Sequence, residues 1–437
     1  MKKAFWFWKR TVSAALALAS CMGVASVGAS AAQSLPVVSY GISVLAAQTD
    51  MAVSGFAGND IVFCEEDFRR GLNLSHVDYI TVCTLPLTTE GELLLGSSRV
   101  AAGQSIAGEN LSHLCFAAAS DDVTQASFTF TANGSATPIV CKLYAVREPN
   151  SAPTLSMAPD LSLTVSTYRD LCAYGMLSAY DPEGDEMVFE IVSYPQNGSI
   201  RMSDRTVGTY VYTPNESYTG RDCFSYVARD RYGNYSAART VNLSVDAKGT
   251  QVTYVDMERS PTEYAALAVT EAGIMSGSQI GNRYYFYPER TVSRVEFLVM
   301  AMNAAGITDI PACDATDFGD DSSIPTSMKG YVDAAYSMGY VSGTNVLGEL
   351  CFLPDEEITV AEAAVIVDAV LGLGGESSAS LPTLSSNSDI PVWARESVST
   401  LASVGILVSA DGSFAVNEKI TRGETATILA AVMAYLK

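Results

Sequence analysis

The chain is 437 residues long, enough for about three domains of ordinary size, and carries 48 acidic against 26 basic side chains for a formal net charge of −22. No run of lysine and arginine is present to neutralise phosphates, which argues against nucleic acid or anionic lipid as a partner. Hydrophobic residues at 48% exclude a mostly disordered chain. Only two histidines occur, His76 and His113, which removes most metal and acid–base chemistry; both read as ordinary surface or half-buried residues.

Residues 1–31 read as a secretory signal peptide. Lys2, Lys3, Lys9 and Arg10 make a basic start, Thr11 to Ser20 a short apolar core, and Ala29-Ser30-Ala31 a small-residue cleavage site. Leu18-Ala19-Ser20-Cys21 also fits a lipobox and is the rival reading. No later stretch reaches the roughly 18 apolar residues of a membrane span, so no span is expected in the mature chain.

Residues 32–150 carry strand-like runs at Tyr79–Thr84, Leu93–Leu95 and Phe128–Phe130. The segment looks like an immunoglobulin-type surface module, and Asn150-Ser151-Ala152-Pro153 reads as a joint. Over residues 151–247 the pattern has period 2: Met187, Phe189 and Ile191; Phe224, Tyr226 and Ala228; Val241, Leu243 and Val245. Asn197-Gly198 reads as a hairpin turn. The spacing of short strands over this length predicts a β-sandwich. With Asp181-Pro182-Glu183-Gly184-Asp185, Tyr210-Val211-Tyr212-Thr213-Pro214 and Asp230-Arg231-Tyr232-Gly233-Asn234, it resembles bacterial cadherin-like and immunoglobulin-like surface domains. Some relatives of that kind bind calcium at acidic turns. The resemblance therefore makes Asp181, Glu183, Asp185 and Asp230 candidate oxygen ligands for calcium, against the alternative of a solvated turn. No other cofactor is expected.

The last third repeats. Gly273, Gly339 and Gly405 stand 66 residues apart both times, in Gly273-Ile274, Gly339-Tyr340 and Gly405-Ile406. A second block follows each: Thr291-Val292-Ser293-Arg294-Val295-Glu296, Ile358-Thr359-Val360-Ala361-Glu362, and Ile420-Thr421-Arg422-Gly423-Glu424. Each glycine reads as the left-handed stop of an apolar helix. Ser293, Thr359 and Thr421 with Glu296, Glu362 and Glu424 read as capping boxes opening the next one. A unit with one apolar face cannot bury it alone, so three must pack together.

This arrangement resembles the S-layer homology repeat, whose blocks read Phe-x-Asp, Trp-Ala, Gly-Ile, Phe-x-Pro and Ile-Thr-Arg-Ala-Glu. Tyr254-Val255-Asp256 and Phe318-Gly319-Asp320 match the opening, Ser388-Asp389-Ile390 takes its place in the third copy, and Trp393-Ala394 fits the Trp-Ala pair. Phe286-Tyr287-Pro288 and Phe352-Leu353-Pro354 fit Phe-x-Pro, while Phe414-Ala415-Val416 has lost the proline. The copies span residues 251–310, 313–375 and 384–437. The resemblance implies a multidomain chain: two all-β immunoglobulin- or cadherin-like sandwiches, then an all-α three-repeat module.

Such modules dock exported proteins on bacterial cell-wall polysaccharide, often one bearing pyruvylated sugars. Carried onto this chain, the resemblance nominates Arg294, Arg422, Asp256, Asp320, Asp389, Gly277 and Gly343 as polysaccharide-binding residues. A guanidinium at a helix N-terminus can grip a carboxylate with help from the backbone N–H groups. Val360 breaks the pattern in the second copy, so at most two full-strength sites are expected. For the aspartates, turn roles compete with ligand contact.

Eight cysteines remain after Cys21, an even count that permits disulfides. Cys83 and Cys223 lie in strand-like runs and read as small buried thiols. No CxxC is present to suggest zinc or redox chemistry. The expectation is a non-catalytic surface protein fixed to the wall, its sandwiches presented outward for adhesion or surface-layer structure. The alternative is a wall-attached glycan hydrolase with its active site in residues 33–250, since glycosidases need only two carboxylates. No Gly-x-Ser-x-Gly or His-Glu-x-x-His motif supports it.

Overall fold

The computed structural model describes residues 50–155, 164–374, 390–407 and 415–437. The signal-peptide and lipobox readings fall outside the described residues, as does Asp389.

Alternation of apolar residues shapes the first β body. Its strands are β1 (Asp50–Phe56), β2 (Ile61–Val62), β3 (Tyr79–Thr84), β4 (Gly91–Leu95), β5 (Ser98–Arg99), β6 (Ser105–Ala107), β7 (Leu114–Ala118), β8 (Gln125–Ala132) and β9 (Ile139–Val146). They form a five-stranded sheet, β1-β9-β8-β3-β6, and a four-stranded sheet, β2-β7-β4-β5. Ala126, Phe128, Phe130 and Ala132 on β8, with Ile139, Cys141 and Leu143 on β9, turn their side chains into the shared core. Helix α1 (Glu65–Gly71) opens with three acidic residues and closes with Arg69 and Arg70, matching its dipole. Its Phe68 packs edge-on against Phe130 at 5.3 Å.

The second body has β10 (Thr164–Tyr168), β11 (Ala173–Met176), β12 (Met187–Ser193), β13 (Gly198–Asp204), β14 (Thr209–Pro214), β15 (Gly220–Asp230) and β16 (Arg239–Asp246). Its sheets run β10-β16-β15-β12 and β11-β14-β13. The logic of the first body recurs. The first strand pairs parallel with the last, β1 with β9 and β10 with β16, and the last pairs antiparallel with its predecessor.

Two sequence readings are corrected here. Asn197-Gly198 is not a two-residue hairpin, because β12 and β13 lie in different sheets. The glycine instead permits close approach: a Cβ at Gly198 would sit 2.4 Å from the Tyr212 ring and 2.6 Å from the Thr213 carbonyl. The turn before it is held by Asp222, which accepts the Gln196 and Asn197 N–H groups. Cys83 is exposed, since period 2 sends Ile80 and Val82 inward and its own side chain out. Cys223 is half-buried, and none of the eight described cysteines is in a disulfide.

Among the described residues six α-helices follow: α2 (Glu263–Glu271), α3 (Arg294–Ala304), α4 (Thr326–Ser337), α5 (Val360–Leu371), α6 (Arg395–Ser403) and α7 (Arg422–Tyr435). Hairpins β17 (Ser278–Ile280) with β18 (Arg283–Tyr285) and β19 (Thr344–Val346) with β20 (Glu349–Cys351) bridge the first two pairs. Gly273, Gly339 and Gly405 adopt φ of 72°, 75° and 73°. At each, the next residue donates back to the helix: Ile274 to Val269, Tyr340 to Ala335 and Ile406 to Leu401, at 2.8–2.9 Å. These are Schellman stops, which only a residue at ease with positive φ makes without strain. Ser293, Thr359 and Thr421 each accept the N–H of the glutamate three residues on, and each glutamate returns the bond.

The three copies close into a ring. Val292 donates to Ile420, Ile420 to Ile358, and Ile358 back to Val292, at 3.2, 2.9 and 3.1 Å, and all three side chains are buried. Helix α4 packs on α3, α6 on α5, and α2 closes the circle on α7. One buried cluster serves the whole ring, and Tyr168 of β10 is part of it.

The bodies are also tied to one another. Tyr168 packs on Tyr264 with ring centroids 5.1 Å apart and donates to Glu271 at 2.5 Å. Arg229, buried in the second body, binds Glu190 at 3.0 Å and Asp50 of the first body at 3.6 Å.

Candidate functional site

The ring places the start of each second helix in the loop of the next copy. Arg294 and Val295 donate their backbone N–H groups to Glu356 and Pro354, Val360 and Ala361 to Glu418 and Val416, Arg422 and Gly423 to Arg290 and Pro288. These bonds, with the cap hydroxyls on the third N–H, occupy the first three donors of α3, α5 and α7. The backbone help expected for an anion at these N-termini is therefore already spent on neighbouring carbonyls.

What distinguishes the three grooves is the side chain at the first helical position. Arg294 donates from Nη2 to Glu362 Oε1 at 2.7 Å, a half-buried pair joining the first copy to the second. Burial works upward on Glu362, but the Thr359 N–H and Arg294 outweigh it and hold the carboxyl below its usual range. Val360, the counterpart in the second copy, is buried. Arg422 lies over the Phe286 ring at 4.8 Å and donates to the Phe286 and Ser276 carbonyls at 2.9 and 2.8 Å. Burial, then the charge of Arg290, pushes its pKa down.

Asp256 and Asp320 play one structural part in two copies. Asp256 accepts the Phe286 and Tyr287 N–H groups at 2.9 and 2.7 Å; Asp320 accepts those of Phe352 and Leu353 at 2.8 and 2.7 Å. Tyr287 and Leu353 sit at φ of 59° and 62°, a left-handed conformation that costs a non-glycine residue about 1–2 kcal/mol. Both carboxylates thus clamp the strained Phe-x-Pro turn. Gly277 and Gly343 are packing glycines. A Cβ would come within 2.3 Å of the Tyr254 ring at the first and 2.6 Å of the Phe318 ring at the second. Of the Trp-Ala pair, Ala394 is buried and Trp393 is 60% exposed.

The acidic turns of the second body divide. Asp181, Glu183 and Asp185 bring carboxylate oxygens within 4.8 Å of one another. Asp181 is 2% exposed; one of its oxygens accepts the Glu183 and Asp185 N–H groups at 3.0 Å, and the other is buried without a partner. An orphaned buried oxygen is costly unless something pairs with it. Oxygens so spaced fit a hard cation with bonds of about 2.3–2.6 Å. Burial, then the charges of Asp181 and Asp230, raises the Asp185 pKa and outweighs the opposing charge of Arg231. Asp230 is not part of this group. Its oxygens already accept from Tyr232, from Asn150, and twice from Asn234, so it organises the neighbouring loop.

Both histidines are exposed; His76 lies between Glu65 and Asp78 at 3.2 and 3.4 Å. Missed in the sequence were Glu362 as partner of Arg294, and Arg290. The latter left a signal: position 290 is basic where the other copies carry Glu356 and Glu418.

Comparison with known proteins agrees with this anatomy. The family model described as S-layer homology domain matches residues 389–426, and that described as bacterial Ig domain matches residues 150–244. The chain carries both domains, and the S-layer homology domain points to a protein attached at the cell wall or cell surface. No curated protein matches. Among solved structures, the chain is similar to an endo-fucoidan hydrolase of glycoside hydrolase family 107 (17% identity, 46% of this chain and 28% of that one, TM-score 0.19). It is also similar to fibronectin(III)-like modules of Clostridium thermocellum CbhA (14%, 47% and 94%, 0.21) and to Drosophila N-cadherin EC1-3 (10%, 47% and 65%, 0.21). Among the described residues no helix is long and apolar enough to cross a membrane.

Proposed function

We propose that this is a non-catalytic surface protein whose three-repeat helical ring binds cell-wall polysaccharide in the grooves between copies, while two immunoglobulin- or cadherin-like sandwiches are presented outward. The observation that carries the reading is the ring itself. Three copies of one motif are closed by the Val292–Ile358–Ile420 hydrogen bonds, and each groove sets the start of a helix against the loop of the neighbouring copy, a Phe-x-Pro loop in the first two copies. The family model matched within the third copy supports the same reading. Within it, pyruvylated sugars supply the carboxylate that a guanidinium grips bidentately. The experiment is cosedimentation of the mature chain with isolated sacculi, before and after their polysaccharide is stripped. The chain should pellet with the first and stay in solution with the second.

Calcium is the proposed ligand of Asp181, Glu183 and Asp185, on the strength of the unpartnered Asp181 oxygen. Glu183 also accepts from Ser151, at the joint between the β bodies, so a bound cation would stiffen that joint.

A further inference from the structure

Helix α2 differs from its counterparts on the face it turns to the second β body. Aligned on the stop glycines, Tyr264 and Glu271 of α2 stand where α4 carries Gly330 and Ser337 and α6 carries Glu396 and Ser403. Only the copy that follows the β body in the chain has an aromatic ring and a carboxylate at these two places. Both meet that body. Tyr264 packs on Tyr168 with ring centroids 5.1 Å apart, and Glu271 accepts from the Tyr168 hydroxyl at 2.5 Å.

The other side of the contact is equally particular. The turn after β10 presents Tyr168 and Leu171 together; the Leu171 N–H donates to the Tyr168 carbonyl, and the Thr167 hydroxyl to the Leu171 carbonyl, both at 3.0 Å. Tyr168 is 7% exposed and belongs to the buried cluster of the helical ring, not to that of its own body, and Leu171 packs against the same cluster. Tyr174 on β11 donates to the Arg259 carbonyl ahead of α2 at 3.0 Å. The connecting segment is fastened to the same carboxylate, with the Thr250 N–H donating to the second Glu271 oxygen at 2.7 Å.

We infer that α2 is a docking surface for the second β body, and that this body completes the ring, which reaches its full stability only with the body seated. A domain on a flexible tether moves relative to its neighbour unless an apolar interface holds it. Here an aromatic side chain of one body is buried in the core of the other, and burial of that kind dominates the energetics of an interface. Gly330 and Ser337 on α4, or Glu396 and Ser403 on α6, offer no such seat. Load on the outer bodies therefore reaches the ring through α2 as well as through the linker. The inference goes beyond the wall-binding reading and does not depend on what the ring binds.

The test is thermal unfolding of the full mature chain, read from the helical signal at 222 nm. Tyr168→Ala removes a side chain from the β body alone, yet should lower the helical midpoint by about 6–20 °C, the scale of a buried aromatic cut back to alanine in a unit of this size. Tyr168→Phe keeps the ring contact and loses the bond to Glu271, so the fall should be about 1–6 °C. Tyr264→Ala should lower the midpoint as well. The double variant Tyr168→Ala/Tyr264→Ala should fall by less than the sum of the two, because residues in contact share one interaction. Should Tyr168→Ala unfold the second β body outright, the helical midpoint still decides, since a ring that stands alone would keep the parent value. A helical midpoint untouched by Tyr168→Ala, or losses that simply add in the double variant, overturns the inference and leaves the wall-binding reading as it was.

Discussion

Replacing Ile420 with alanine tests whether the helical ring is one cooperative unit. Ile420 is 0% exposed, donates to Ile358 and accepts from Val292, so it belongs to all three copies at once. The backbone bonds survive the substitution, but the removed methylenes leave a cavity where three copies meet. Loss of a buried isoleucine to alanine costs about 2–5 kcal/mol. For a unit of this size each kcal/mol moves Tm by about 2–4 °C, so a fall of about 4–20 °C is expected. The assay is thermal unfolding followed by circular dichroism at 222 nm, a clean readout because every described α-helix except the short α1 lies in the ring. All the helical signal should move together. A variant in which one part of the helical signal melts early, while the rest keeps the parent midpoint, would refute the closed ring.

Gly343→Ala, with its Cβ forced to 2.6 Å from the Phe318 ring at a φ of 72°, should destabilise the ring by about 1–3 kcal/mol in denaturant titration. Calcium at millimolar concentration should raise the midpoint of the β bodies, by about 2.7 kcal/mol at a hundredfold excess over Kd. Asp181→Asn should abolish the shift, and because the Asp185 carboxyl is held above its usual range, protons should compete and the calcium effect should fade on acidification. Lys329, bonded to Asp321 at 2.5 Å, is the chief cause holding that carboxyl down at about 2. A depressed carboxyl stabilises the fold above its unfolded value of about 3.9 and loses that contribution as pH falls through about 2. Lys329→Met should therefore flatten the decline of stability between about pH 4 and 2.

Local physics was legible before any coordinates. The three glycines and three capping boxes are short-range chemistry, and the structure realises each in the conformation its residue type demands. Period-2 alternation marked Phe224, Tyr226 and Val241 as one face, and all three are buried. What could not be read depends on partners distant in the chain. Asn197-Gly198 has hairpin chemistry, but the strands it joins belong to opposite sheets. The strand assignment at Cys83 was right; its face was not, because register relative to Ile80 and Val82 decides it. Arg294 and Arg422 are the same motif position, yet one meets a carboxylate 68 residues away and the other a carbonyl 136 residues back. Motif matching made them equivalent, and the ring makes them different. The acidic turn shows the same limit: Asp181, Glu183 and Asp185 converge as their spacing suggests, whereas Asp230 is claimed by Asn150, Tyr232 and Asn234.

The central claim is that the helical ring, and not the β bodies, holds the protein to the wall. The direct measurement compares the mature full chain with one ended after Asp246, where the last strand of the second body closes, in cosedimentation with isolated sacculi. The full chain should pellet and the shortened chain should remain in solution with its β spectrum intact. Equal pelleting of the two would contradict the account and move the binding surface into the β bodies.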